Sequence, residues 1–231
     1  MGKDVIIACD FDNQATTLAF LDRIGTVRPF VKIGMELYYA EGPSVVRAIK
    51  ERGHKVFLDL KLHDIPNTVK KAMTVLSSLG VDMINLHAAG TAAMMEAARD
   101  GLVHLSVRPL LIGVTMLTST SEERMHEEIM IHASLEDTVL SYAQNAKRCG
   151  LDGVVCSPLE AGSVHAVCGK DFMTVTPGVR FADAAQDDQS RITTPEKAAA
   201  IGSDYIVVGR PITAAQDPLE AYSLCMAAFV G

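Results

Sequence analysis

The stretch FLDLKLHDIPNTV, Phe57 to Val69, sets two aspartates and a lysine inside an otherwise apolar run. Side chains alternate along a β-strand, so Phe57, Asp59, Lys61 and His63 share one face while Leu58, Leu60 and Leu62 share the other. The leucine face suits packing against helices. The other face carries charges that are costly to bury unless they are paired. Asp64 follows on a strand-to-helix loop, and Pro66 fits the first turn of the next helix, where its missing N–H costs nothing.

The same strand-then-helix pattern recurs along the chain. Short apolar runs appear as VIIACD, FVKIGM, KVFLDLKL, MINLHAAG, PLLIGVTML, GVVCS, FMTVTPG and YIVVGR, which makes eight candidate strands. Between them lie stretches of helical period, such as Val69, Ala72, Met73, Leu76 and Leu79, closed by Gly80 where a left-handed cap is expected. Alternating strands and helices imply a parallel sheet covered by helices. Eight such units in 231 residues predict a closed (β/α)8 barrel, a single domain over residues 1–231, with a doubly wound open sheet as the competitor. Polar residues gather at the C-terminal ends of the runs, at Asp10, Lys32, Asp59, Lys61, His87, Thr118, Thr176 and Arg210, and a barrel active site sits at that end. No linker, low-complexity tract or sequence-level repeat divides the chain. The longest irregular candidates are Thr118 to His126 and Arg180 to Ile192; the second is the candidate lid.

Strand parity directs Asp10 inward with Ile6 and Ala8, and Lys32 inward with Phe30. Together with Asp59 and Lys61, the first three strands thus deliver two aspartates and two lysines to one small volume. A structural ion-pair network is one account of them. An active site is the other, and it explains why such charges crowd consecutive strand ends. After the seventh and eighth strands, TPGVR and VVGR stand where barrels bind phosphate through backbone N–H groups, with Arg180 and Arg210 able to add charge-assisted hydrogen bonds.

Composition narrows the function classes. Hydrophobic residues make up 48% and aromatics 5%, with no Trp, so the core must be built mainly from Val, Ile, Leu, Ala and Met. A formal charge of −7 without any basic run offers no general attraction for nucleic acid or an anionic membrane. Five cysteines, odd in number and without C-x-x-C spacing, read as buried reduced thiols. The opening apolar run is too short for a signal peptide or a membrane span, so a cytoplasmic protein is expected. His126 and His132 lack the spacing of a zinc helix, and no metal site is expected. The methionines at 94, 95, 116, 125 and 130 read as core filling.

DLKLHDIPNT, with its Asp-x-Lys-x-x-Asp core, resembles the signature of the orotidine 5′-phosphate decarboxylase family in its bacterial form. The likeness extends through CDF, VKIGMELYYAEGP, TMLTSTS, GLDGVVCS, TPGVR, DDQSR and VVGRPIT, nearly the whole chain. The resemblance implies decarboxylation of orotidine 5′-monophosphate to UMP and CO2 in pyrimidine biosynthesis, without metal or organic cofactor. It implies that Lys61 donates the proton within an array of Lys32, Asp59, Lys61 and Asp64. It also implies a homodimer in which the loop carrying Asp64, Ile65 and Thr68 reaches the partner's site. Asp10 and Lys32 match positions that hold ribose hydroxyls, and Thr118 one that contacts the pyrimidine. Arg180, Gln189, Gly209 and Arg210 match the phosphate grip, and Pro177 of TPGVR joins the substrate-binding set. The Asp-x-Lys-x-x-Asp core is shared with metal-dependent sugar-phosphate decarboxylases and aldolases, which form the enzymatic alternative. A catalytically silent nucleotide-binding protein on the same scaffold is the non-enzymatic one.

Overall fold

All eight expected strands are present: β1 (Asp4–Ala8), β2 (Phe30–Ile33), β3 (Val56–Leu62), β4 (Met83–His87), β5 (Leu110–Val114), β6 (Gly153–Val155), β7 (Met173–Thr176) and β8 (Tyr205–Val208). The computed structural model describes residues 3–181 and 193–231. Each strand pairs in parallel with the next and β8 pairs with β1, so the sheet closes into a barrel in chain order. The open-sheet alternative is thereby excluded.

Alternation along each strand separates two cores. Ile6, Ala8, Phe30, Phe57, Met83, Ile112, Met173, Val175, Tyr205 and Val207 fill the barrel interior, and Val5, Ile7, Val31, Ile33, Leu58 and Leu60 belong to the second cluster, packed with helix residues. Full burial of each large aliphatic or aromatic side chain is worth roughly 1.5–3 kcal/mol. This is the inward parity expected for Ile6, Ala8, Phe30 and Phe57. The helix Pro66–Ser77 begins on its proline and buries Val69, Met73 and Leu76. Gly80 follows at φ 69, in the left-handed region expected of it.

The floor of the barrel is tied by a device that repeats at three alternate strands, β4, β6 and β8. Asp82, Asp152 and Asp204 stand one residue ahead of β4, β6 and β8, and accept the N–H of Val56, Leu111 and Thr174 at 2.7, 2.8 and 2.8 Å. Lys50, Arg108 and His165 lie against the same three carboxylates. Backbone donors at the start of β3, β5 and β7 are satisfied in this way. These charges belong to the end of the barrel opposite the active-site end.

Two details differ from expectation. Residues 122–128 of the stretch from Thr118 to His126 and beyond form a helix, Glu122–Glu128, because Ser121 accepts the N–H of Arg124 and Glu122 and Glu123 occupy its first turn. Met94, Met95, Met116 and Met125 are buried, but Met130 is 68% exposed just past that helix. All five cysteines are free and buried. Among the described residues, no helix is long and apolar enough to cross a membrane.

Candidate active site

A cavity of about 550 Å³ opens at the C-terminal ends of the strands. β1 to β3 contribute its charged wall: Asp10, Lys32, Asp59 and Lys61. β5 and β6 contribute Val114, Val155 and the following Met116, Thr118 and Cys156. The loops after β7 and β8 add Pro177, Arg180, Gly209 and Arg210. A charged cluster and an arginine pair thus share one mouth, with an apolar wall on another side.

Within the cluster the ions alternate in sign. Lys61 Nζ lies 2.7 Å from Asp59 Oδ1, and Lys32 Nζ lies 3.5 Å from Asp59 Oδ2 and 2.8 Å from Asp10 Oδ1. Asp59 is buried, and burial is the largest single influence on its carboxyl, pushing the pKa up. Lys32, Lys61 and a hydrogen bond from Asn85 together outweigh burial and hold it below the usual carboxylate range. Lys32 mirrors this: burial opposes its charge, but Asp59 and Asp10 outweigh burial and hold the ammonium above its ordinary value. Both groups are therefore charged at neutral pH. Cys9, next to the cluster, is driven mainly by burial up to about 12 and stays a neutral thiol.

Lys61 sits in backbone that lysine rarely adopts, with φ 51. Left-handed backbone costs an L-residue roughly 1–2 kcal/mol, and such outliers cluster at functional sites. Glycine is needed next to the cluster for a different reason. At Gly34 a Cβ would lie 3.2 Å from both Asp10 Oδ1 and Lys32 Nζ, so any side chain there would crowd the ion pair.

The structure brings together Asp10, Lys32, Asp59, Lys61, Thr118, Pro177, Arg180, Gly209 and Arg210. It leaves Asp64, Ile65 and Thr68 outside: all three are exposed and none lines the chain's own cavity. The Asp64 carboxylate accepts the N–H of Ile65 at 2.6 Å. Gln189 and most of the candidate lid, residues 182–192, lie outside the described residues. Thr176 and His87, two of the polar strand ends, do not line the cavity. The Thr176 hydroxyl instead donates to Tyr205 O, and the His87 ring lies 5.4 Å from that of His63. Burial, His63 and Lys61 hold His87 below its usual value, outweighing Asp59, so its ring is neutral at neutral pH. His126 Nε2 is hydrogen-bonded to Ala133 O, and among the described residues no group of three or more His, Cys, Asp or Glu could hold a metal ion.

Sequence reasoning passes over Asn85. It is fully buried in β4 and touches both Asp59 and Lys61. The signal is available, since Asn85 shares the inward parity of Met83 and is the one amide in the run MINLH.

A family model described as the orotidine 5′-phosphate decarboxylase / HUMPS family matches residues 3–225. The chain is 54% identical over 226 residues to the orotidine 5′-phosphate decarboxylase of Bacillus cytotoxicus, spanning 96% of this chain and 95% of that protein. It is 53% identical to the orotidine 5′-phosphate decarboxylase of Bacillus mycoides over the same shares. Among solved structures, it matches an orotidine 5′-phosphate decarboxylase from Lactobacillus acidophilus with a TM-score of 0.89 at 42% identity, covering 99% of this chain and 100% of the other. An uncharacterized conserved protein from Geobacillus kaustophilus matches with a TM-score of 0.87 at 49% identity, covering 97% and 99%.

Proposed function

We infer from the premise that this chain belongs to the orotidine 5′-phosphate decarboxylase / HUMPS family that it decarboxylates orotidine 5′-monophosphate to UMP and CO2, a step of pyrimidine biosynthesis. One observation carries the chemistry: Lys61 Nζ stands at the cavity wall, 2.7 Å from a buried carboxylate that Lys32 also faces.

Breaking the bond between C6 and the carboxylate leaves an electron pair in the plane of the pyrimidine, where the ring π system cannot delocalise it. Stabilisation must then come from charge already in place. The Lys61 ammonium supplies it and afterwards transfers one N–H proton to C6, so a single group acts electrostatically and as general acid. CO2 departs, UMP retains the proton, and Lys61 regains one from solvent. Asp59 fixes the ammonium, and Lys32 keeps Asp59 ionised. Asp59 also faces the substrate carboxylate, and loss of CO2 relieves that repulsion.

Asp10 and Lys32 hold the ribose hydroxyls, Thr118 contacts the pyrimidine, and Pro177 borders the substrate. Arg180, Gly209 and Arg210, joined by Gln189, grip the phosphate. Binding energy at that remote end can be used to organise the reacting end. No metal or organic cofactor takes part.

The working unit is a homodimer in which Asp64, Ile65 and Thr68 complete the partner's site. Ile65, Val75 and Val103 are 67%, 64% and 69% exposed. Apolar surface of this kind suits burial against a second copy. The five buried free thiols suit a reducing compartment, and we place the protein in the cytoplasm.

Mixing two inactive variants tests the enzyme and its shared site together. Lys61→Ala and Asp64→Ala, each nearly inactive alone on orotidylate, regain one intact site per mixed dimer, or about one quarter of wild-type activity in a statistical mixture. An active Lys61→Ala protein would sink the catalytic assignment. No recovery on mixing would place Asp64 outside the neighbouring site.

A further inference from the structure

We infer that Asn85 is a positioning residue for the decarboxylation, holding Asp59 and Lys61 in register through one buried side-chain amide. This rests on the function proposed above and adds a residue to its machinery.

The need for such a residue comes from an irregularity in the barrel. Leu58 pairs with Ile84 and Leu62 with Leu86, so Asp59, Leu60 and Lys61 of β3 stand opposite Asn85 alone. A bulge of this size interrupts the ladder and re-aims side chains. The Lys61 N–H, displaced from regular pairing by its left-handed φ of 51, would lack the strand's usual partner. Asn85 Oδ1 accepts it at 2.8 Å. On the same side chain, Nδ2 donates to Asp59 Oδ1 at 2.6 Å, the oxygen that also receives Lys61 Nζ at 2.7 Å.

The chemistry of the partners settles the amide's orientation. An ionised carboxylate only accepts, and a backbone N–H only donates. Flipping Asn85 would set donor against donor and acceptor against acceptor, two losses on a side chain with no exposure to water. A single residue therefore supports the backbone that aims Lys61 and the carboxylate that fixes its ammonium. Leucine, of similar size, can do neither. Aspartate can do both, but only while protonated: its carbonyl accepts from Lys61 N–H and its hydroxyl donates to Asp59.

Two variants test the role. Asn85→Leu should lose about 10- to 100-fold in kcat, the scale of a hydrogen bond to a charged group. Its affinity for UMP, which depends on the ribose and phosphate contacts, should stay within about threefold. In Asn85→Asp, the ratio of its kcat to that of the wild type should fall by about tenfold or more as pH rises, because the introduced carboxyl, once ionised, faces an ionised Asp59. The charged and titratable groups around this position are His87 on its own strand, Asp59 and Lys61 on β3, His63 just beyond it, and Lys32 on β2. The neighbour across β5 is the uncharged Ile112. The native groups are present in both proteins, so the ratio reads what the introduced carboxyl changes. A full kcat in folded Asn85→Leu, or a flat ratio in Asn85→Asp, would overturn the inference. Should Asn85→Leu fail to fold, the pH ratio alone decides. The wild type measured alongside separates the two claims: if it does not turn over orotidylate, the proposed function fails, whereas active wild type with unaffected variants removes only the role of Asn85.

Discussion

Replacing Lys61 by glycine and by alanine separates what its backbone costs from what its ammonium does. In a regular strand, glycine is the worse residue by roughly 0.5–1 kcal/mol, because it loses more freedom on folding. At φ 51 the order should reverse. Alanine keeps the clash of Cβ in left-handed backbone, roughly 1–2 kcal/mol, and glycine escapes it. Subtracting the flexibility penalty leaves Lys61→Gly more stable than Lys61→Ala by about 0.75 kcal/mol at the centres of the two ranges, and by no more than about 1.5 kcal/mol at their extremes. Both variants lose the same contact with Asp59, so that loss cancels in the comparison. For a chain of 231 residues the difference corresponds to roughly 1–4 °C in Tm. Urea unfolding followed by circular dichroism reads it directly, with orotidylate turnover near zero in both proteins. Equal stability, or alanine the more stable, would refute the strained placement of Lys61. Turnover close to wild type in either would refute its catalytic role.

Gly34→Ala introduces a Cβ at 3.2 Å from both members of the Asp10–Lys32 pair, at a φ of −87 that alanine accepts. Displacement of a few tenths of an ångström should lower kcat/KM by about tenfold or more with Tm nearly unchanged, and full activity would show that the pair tolerates crowding. The site also sets two limits on stability with pH. Asp59 is depressed in the folded chain, so its contribution is present above about pH 4, its unfolded value, and is lost as pH falls through the lower folded value. Lys32 is raised, so its contribution is present below about pH 10.4 and lost as pH climbs through the higher folded value. Urea midpoints across pH should show a plateau between those limits, and Asp59→Asn should blunt the acid limb; an unchanged acid limb would contradict the assignment. Arg210→Ala should cut kcat/KM by about 100-fold or more through loss of charge-assisted contacts to phosphate, and an unchanged value would place the grip elsewhere.

Much of this is legible in the sequence because β-strands obey a period of two. Phe57, Asp59 and Lys61 can be assigned one face before any coordinates, and Ile6, Ala8 and Phe30 fill the barrel interior as parity requires. The arginines after β7 and β8 follow from the same logic of strand ends, and they line the cavity. Parity cannot see the bulge in β3, since an irregular register has no local sequence signature beyond the pattern it breaks. Asn85 escapes notice because an amide in an apolar strand carries no charge, although its burial demands partners. Thr176 sits at a strand end with the right polarity, but its hydroxyl goes to Tyr205 O. Met130 reads as core from composition alone, and its position past a short helix leaves it exposed. The floor aspartates show that three charges one residue ahead of strands can serve the fold and not the chemistry.

In the function proposed above, this barrel removes CO2 from orotidylate through preorganised charge, with no metal or organic cofactor. The most direct test follows the loss of orotidylate absorbance with purified protein, before and after exhaustive treatment with EDTA. Turnover to UMP at the same rate in both samples is the predicted result. No turnover, tight UMP binding without CO2 release, or activity abolished by the chelator and restored by Mg²⁺ would contradict it.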